Sequence, residues 1–229
     1  LWNTWGSLEQ SIRSGNPARK ADMFQKNAEE TERFIMAMHS LVNARGDAEI
    51  LSDKLDFSRA KTLLDIGSGP GTYPIQFLRK YPNLKITILD LPRTLSITKK
   101  VLRNEQISGR IRLVERDYNS GEIPKGFDIA FLSNIIHSES EEANQKLLKK
   151  VYRALNPRGK IIIKDHILDS TLTSPAVGAI FSINMLLTTK GRDYSFRELR
   201  NWLINAGFEK IRWIRLKPPL TSSLVIGRK

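Results

Sequence analysis

Apolar runs and polar breaks alternate along this chain in two rhythms. Leu63, Leu64 and Ile66 make a short apolar run that breaks into Gly67-Ser68-Gly69-Pro70-Gly71, so it reads as a central strand of a parallel sheet. A helix over 74–81 and a second strand over 85–91 complete a β-α-β unit, with Asp90 at the end of the second strand. The alternation continues with a helix over 95–104, a strand ending at Arg116-Asp117-Tyr118, a strand over 127–132, a helix over 141–155 and a strand over 160–166. Asn156-Pro157-Arg158-Gly159 stops the long helix, and two further strand candidates cover 210–216 and 223–227. At the start, Trp2, Trp5, Leu8 and Ile12 recur every three or four residues and predict a helix stopped at Ser14-Gly15-Asn16-Pro17; a second helix is expected over 21–44. The expected fold is α/β, a doubly wound Rossmann-like sheet with helices on both faces and ligands at the carboxyl ends of its strands. It divides into a helical lead-in over 1–58 and a ligand-binding unit over 59–229.

The glycine-dense turn gives this fold its chemistry. Glycines allow φ > 0 and let backbone N–H groups approach a ligand with no Cβ in the way. An acid at the end of the second strand can accept the hydroxyls of a ribose, a role that falls to Asp90. A dinucleotide site prefers Gly-x-Gly-x-x-Gly, whereas here the third glycine is out of register, so the cofactor is not expected to be a dinucleotide. With Asp65 before the turn, the block resembles the S-adenosylmethionine site of class I methyltransferases.

Composition narrows the classes. In 229 residues with 40% hydrophobic content the chain can bury a sizeable core. No cysteine occurs, which excludes disulfides, thiolate metal sites and a cysteine nucleophile. No leader-like or bilayer-length apolar run is present, so a soluble, cytoplasmic protein is expected. The net charge of +13 raises nucleic acid as a partner, but the basic residues are scattered and alternate with apolar positions, as on solvated faces. The first residue is Leu, so a trimmed start is expected, and two nearby tryptophans want a partner surface.

Asp65 to Gly71 as Asp-x-Gly-x-Gly-x-Gly, Asp90-Leu91-Pro92, Gly109-Arg110-Ile111, Asp117, Leu155-Asn156-Pro157-x-Gly159-Lys160 and Ala206-Gly207-Phe208 together resemble the catalytic part of the small-molecule O-methyltransferases. These include plant caffeate and flavonoid enzymes, acetylserotonin O-methyltransferase and bacterial polyketide and pigment relatives. The resemblance implies S-adenosyl-L-methionine as cofactor, S-adenosyl-L-homocysteine as product, and a winged-helix domain upstream that makes the longer protein a homodimer. It places Asp65, Gly67, Gly69 and Gly71 around the methionyl group, Asp90 with Leu91 at the ribose, and Asp117 with Tyr118 at the adenine. It gives His137 as general base, Asp165 and Asp193 as the carboxylates flanking it, and Met185 with Asn134 at the substrate. The family's Leu-Lys-Trp-Ile-Leu-His-Asp-Trp reads here Leu132-Ser133-Asn134-Ile135-Ile136-His137-Ser138-Glu139, so Ser133 stands for the cofactor-contacting lysine and Ser138-Glu139 for Asp-Trp.

Methyl transfer from a sulfonium expels a neutral leaving group, so the enzyme has to place a hydroxyl acceptor in line and remove its proton. Of the three histidines, His137 and His166 lie near strand carboxyl ends, while mid-helix His39 reads as structural. No metal is expected, because the carboxylates near the site have a histidine to serve. The acceptor is expected to be a small, aromatic molecule. Two other readings stay open: a nucleic-acid methyltransferase, favoured by charge but lacking Asn/Asp-Pro-Pro-Tyr after the fourth strand, and a repurposed cofactor-binding protein without methyltransferase activity.

Overall fold

A computed structural model describes residues 2–18, 25–107 and 109–229. Seven strands form one sheet in the order β3-β2-β1-β4-β5-β9-β8. β1 (Thr62–Ile66), β2 (Lys85–Asp90), β3 (Ile111–Glu115), β4 (Phe127–Ser133) and β5 (Leu155–Asp165) run parallel, while β9 (Ser223–Arg228) is antiparallel to both β5 and β8 (Glu209–Arg215). The central strands are apolar on both sides because helices cover both faces. On one face Leu147, Leu148 and Val151 of α7 (Glu141–Ala154) and Leu199, Trp202 and Leu203 of α9 (Phe196–Ala206) pack with Leu64, Ala130 and Ile161. On the other, Leu51 of α4 (Asp47–Lys54), Phe77 of α5 (Thr72–Lys80) and Leu95 of α6 (Pro92–Asn104) pack with Leu63, Ile88, Phe131 and Ile162. The doubly wound architecture expected from the alternation is the one observed.

Some local expectations shift. The first helix breaks at Ser7 into α1 (Trp2–Gly6) and α2 (Leu8–Ser14), and its stripe is not a core face: Trp2 is 90% and Ile12 64% exposed. The second begins at Ala28, where Asn27 caps it by accepting from Glu29 and Glu30 N–H groups, and α3 runs Ala28–Arg45. The rest of its expected start, residues 21–24, lies outside the described residues, as do Arg19 and Lys20. β5 starts at Leu155, five residues ahead of expectation, because Phe127 pairs with Leu155 before the register shifts to Ile129 opposite Lys160. Two further helices, α8 (Ala176–Thr188) and α9, fill the segment before β8. A two-stranded parallel ribbon, β6 (Ile167–Leu168) with β7 (Tyr194–Ser195), pairs Ile167 with Tyr194.

Candidate functional site

Asp65, the glycine turn, Asp90, Asp117, Ser133, His137 and Asp165 lie at or just after the carboxyl ends of the parallel strands, while Asp193 precedes β7 of the small ribbon and Met185 is on α8. Gly67, Gly69 and Gly71 each have φ between 60 and 82°. At Gly67 a Cβ would push the Ile135 side chain aside as well as strain the left-handed backbone. The turn is tied down from outside: Gly67 N–H donates to Leu89 O at 2.8 Å, and Thr98 Oγ1 donates to Gly69 O at 2.6 Å. Asp90 accepts from Gly69 N–H at 2.8 Å and from Leu91 N–H at 2.7 Å, so each oxygen holds one backbone donor and keeps lone pairs for another. Burial raises its carboxyl to about 6. Burial raises Asp65 to about 7, against the Ser68 hydroxyl that donates to it at 2.8 Å.

Next to the turn, Asp117 caps its own loop by accepting from Asn119 N–H and Ser120 Oγ at 2.8 and 3.0 Å. Tyr118 Oη donates to Glu139 at 2.8 Å, and Asn119 Nδ2 donates to the same oxygen at 3.0 Å. Glu139, which departs from the family pattern, therefore bridges this loop to the turn that carries His137. Burial and the Glu139 charge hold the Tyr118 phenol well above its ordinary value.

A second group centres on His137, 6% exposed in a 3₁₀ turn (Ile136–Ser138) after β4. Asn144 Nδ2 fixes the turn by donating to Ile136 O at 2.9 Å, and Tyr194 Oη donates to Glu139 O at 2.7 Å. His137 Nδ1 lies 2.6 Å from Asp165 Oδ1 and 4.0 Å from Asp193 Oδ1. The β6–β7 pairing puts those two acids side by side: Asp165 precedes β6 by two residues and Asp193 precedes β7 by one. Their protonation diverges. Burial pushes Asp165 up, but His137 and His166 outweigh it and leave the carboxyl below its ordinary value. Burial and the Asp165 charge raise Asp193 to about 9, and neither Asp193 oxygen has a hydrogen-bond partner. These three side chains could also converge on a metal ion, with ligand atoms within 4.8 Å of one another.

α8 roofs this group. Phe181 stacks on His166 at 4.8 Å and meets His137 edge-on at 5.2 Å, while Met185 is buried. Asn134 takes φ 57° and leaves Oδ1 unpartnered. His39 uses both ring nitrogens within the protein, with Thr72 Oγ1 at 2.8 Å and Asn43 Nδ2 at 3.1 Å, a tie between α3 and α5.

Two features escaped sequence reasoning. Burial lowers the His166 imidazole to about 4, so it is neutral beside His137, with Nδ1 buried and unpartnered. Lys164 is 3% exposed directly opposite Ser133, its ammonium 3.5 Å from Asp47, which also pairs with Arg45 at 3.2 Å. Two cations thus share one buried carboxylate next to the unpartnered hydroxyls of Tyr73 and Ser133. A lysine closing the apolar run Ile161-Ile162-Ile163 just before Asp165 was its available signal. Unpartnered polar atoms at Asp65, Tyr73, Ser133 and Asn134, beside three glycines at positive φ, fit a polar ligand that both donates and accepts hydrogen bonds.

Known proteins share this architecture. The family model described as an O-methyltransferase domain matches residues 13–209. The 3-hydroxy-5-methyl-1-naphthoate 3-O-methyltransferase of Streptomyces sahachiroi is 31% identical over 182 residues, 80% of this chain and 53% of that protein. The tetracenomycin polyketide synthesis 8-O-methyl transferase TcmO of Streptomyces glaucescens is 27% identical over 100% of this chain and 68% of its own length. The chain thus spans about half to two thirds of these curated relatives. The solved structure of PigF with SAH superposes with a TM-score of 0.91 at 26% identity, covering 100% of this chain and 70% of that one.

Proposed function

The chain belongs to the O-methyltransferase domain family, and from that premise we propose that it binds S-adenosylmethionine and moves the methyl group to a hydroxyl of a small aromatic molecule by in-line displacement, with His137 as general base. When bound, the cofactor supplies an activated methyl group on a neutral leaving group. The glycine turn, Asp65, Asp90 with Leu91, and Asp117 with Tyr118 hold its successive parts, while the ammonium of Lys164 with the Ser133 and Tyr73 hydroxyls receives its carboxylate.

The short His137–Asp165 contact carries the reading. Asp165, ionised, keeps Nδ1 protonated and leaves Nε2 as the basic nitrogen, which takes the proton of the acceptor hydroxyl as it reacts. A phenol titrates near ~10 and an imidazole near ~6.5, so the proton moves to His137 as the new bond forms. Asp165 then faces a full imidazolium, the arrangement that stabilises it most. Asp193, uncharged, crowds no second negative charge onto the pair. Met185, Asn134 and Phe181 line the acceptor side. A soluble, cytoplasmic homodimer is the setting we assign to the longer protein; among the described residues no helix is long and apolar enough to cross a membrane.

Calorimetry with S-adenosylhomocysteine tests the cofactor assignment. Micromolar binding that Asp90→Ala weakens ten-fold or more is expected, since two charge-assisted hydrogen bonds at ~1.5–3 kcal/mol each are lost. Binding of NAD instead, or indifference to the substitution, would overturn it.

A further inference from the structure

The cover that α4, α5 and α6 give one face of the sheet thins toward β9 and β8: Ile162 and Leu224 are still buried, while Ile214 is 37% exposed. There α4 ends at Lys54 and Leu55 to Phe57 form one wall of a trough of about 310 Å³. The floor is apolar and in register: Ile162 lies opposite Ile226, and Leu224 opposite Ile214. Ile211 and Trp213 of β8 pack into the other face, which turns Lys210, Arg212 and Ile214 toward the trough. Its rim is cationic. Lys54, Lys160, Lys210, Arg212 and Arg228 line it against a single carboxylate, Asp56. None of the five makes an ion pair among the described residues, and Lys160 is the direct cross-strand partner of Arg228. Arg228 has Glu209 as its partner across β8 and Lys160 acts on Asp56, so the carboxylates offset part of this like-charge contact and the rim keeps an excess of positive charge that an anion would balance.

We propose that this trough binds an anionic amphiphile, a small molecule with an apolar body and one carboxylate, sulfonate or phosphate head. The head would sit between Lys160, Arg228 and Arg212, and the body would lie on Ile226 and Ile214, above the buried Ile162 and Leu224. The volume is that of a small-molecule pocket. A second copy of the chain would bring its own excess positive charge to the rim. A nucleic-acid backbone would gain nothing from the isoleucine floor.

The test titrates 1-anilinonaphthalene-8-sulfonate and its uncharged analogue N-phenyl-1-naphthylamine into the chain with saturating S-adenosylhomocysteine present. One-to-one sulfonate binding is expected, with amide shifts confined to residues 54–57, Ile129 and strands β5, β8 and β9. Lys160→Gln with Arg228→Gln should weaken the sulfonate ten-fold or more and the neutral probe little, Ile214→Asp should weaken both, and Lys99→Gln with Lys149→Gln should change neither. Cooperative thermal melts certify that each variant is folded, and the wild-type shift map decides the location without any variant. Displacement of the probe by S-adenosylhomocysteine, an equal loss with the remote pair, shifts elsewhere, or inorganic phosphate binding as tightly as the sulfonate would each overturn the proposal. Failure of S-adenosylhomocysteine to bind at all would count against the methyltransfer reading and leave this site standing.

Discussion

At His137 binding and chemistry should separate. His137→Gln leaves the glycine turn and Asp90 untouched, so S-adenosylhomocysteine affinity should stay within two-fold, while turnover of a hydroxyl acceptor at neutral pH falls about 10²–10⁴-fold. Raising the pH toward the acceptor's own pKa should recover part of the rate, because the acceptor then ionises unaided. Near-normal turnover at pH 7 would make the residue structural. Asp193 gives a second prediction through stability. Its carboxyl is raised from the usual 3.8 to about 9, and Asp65 and Asp90 are raised in the same direction, to about 7 and about 6. Between pH 4 and pH 9 the unfolded chain has released the Asp193 proton and the folded chain keeps it, so the stabilisation is complete below pH 4 and declines as pH rises through that window. Asp193→Asn cannot ionise in either state; its melting temperature should fall less between pH 5 and pH 9 than the wild type's. Parallel melting curves would refute the neutral assignment. Asp165, held low by His137, works the other way and loses its contribution only in acid. Of these groups, the sequence singled out His137 by its place after the fourth strand and both aspartates by resemblance. It was silent on their unequal protonation, because that depends on which oxygen finds a donor.

What brings the acids together is an element too short to be read. The strands β1, β2, β4 and β5 were legible because each is an apolar run with a turn at its end, and the glycine turn because no other residue type serves there. β6 and β7 are two residues each and have no period to detect. α8 hides differently: Ala176-Val177-Gly178-Ala179-Ile180-Phe181 is apolar on every side, so helical spacing leaves no polar face to reveal it. α9 did carry a signal, since Ser195 and Glu198 form a capping box with reciprocal bonds. The loop between α8 and β7 is the tightest place in this layer. Gly191 passes over the His137 turn so closely that a Cβ would meet the backbone of His137 and Glu139, atoms that cannot rotate away. Gly191→Ala should therefore displace Asp193 from His137, costing about 1–3 kcal/mol of stability and at least ten-fold in turnover. Denaturant melts and rates with unchanged cofactor affinity would confirm it, whereas a silent substitution would show that the loop yields.

For the molecule as a whole, charge and apolar surface point to different partners. Trp2 and Ile12 of the lead-in helices are exposed, and so are Val177, Ile180 and Ile183 of α8, the helix against which α1 and α2 pack. Phe181, on the same helix, meets His137 edge-on. Two copies carrying +13 each repel one another, so a homodimer has to be held by apolar burial and weakened by its own field. The sign of the salt effect follows. Screening removes the repulsion and leaves burial nearly unchanged, so any self-association of this chain should tighten between 50 and 500 mM salt, on the order of the Debye length falling below ~10 Å. A nucleic-acid partner would behave oppositely, its affinity falling steeply as counterions compete. Light scattering across that salt series, with Ile180→Asp as a probe of the face, separates the two. A dimer that tightens with salt and is lost in the variant supports association through α8. A monomer at every salt concentration, together with salt-sensitive binding to duplex DNA, would return the basic surface to the nucleic-acid reading.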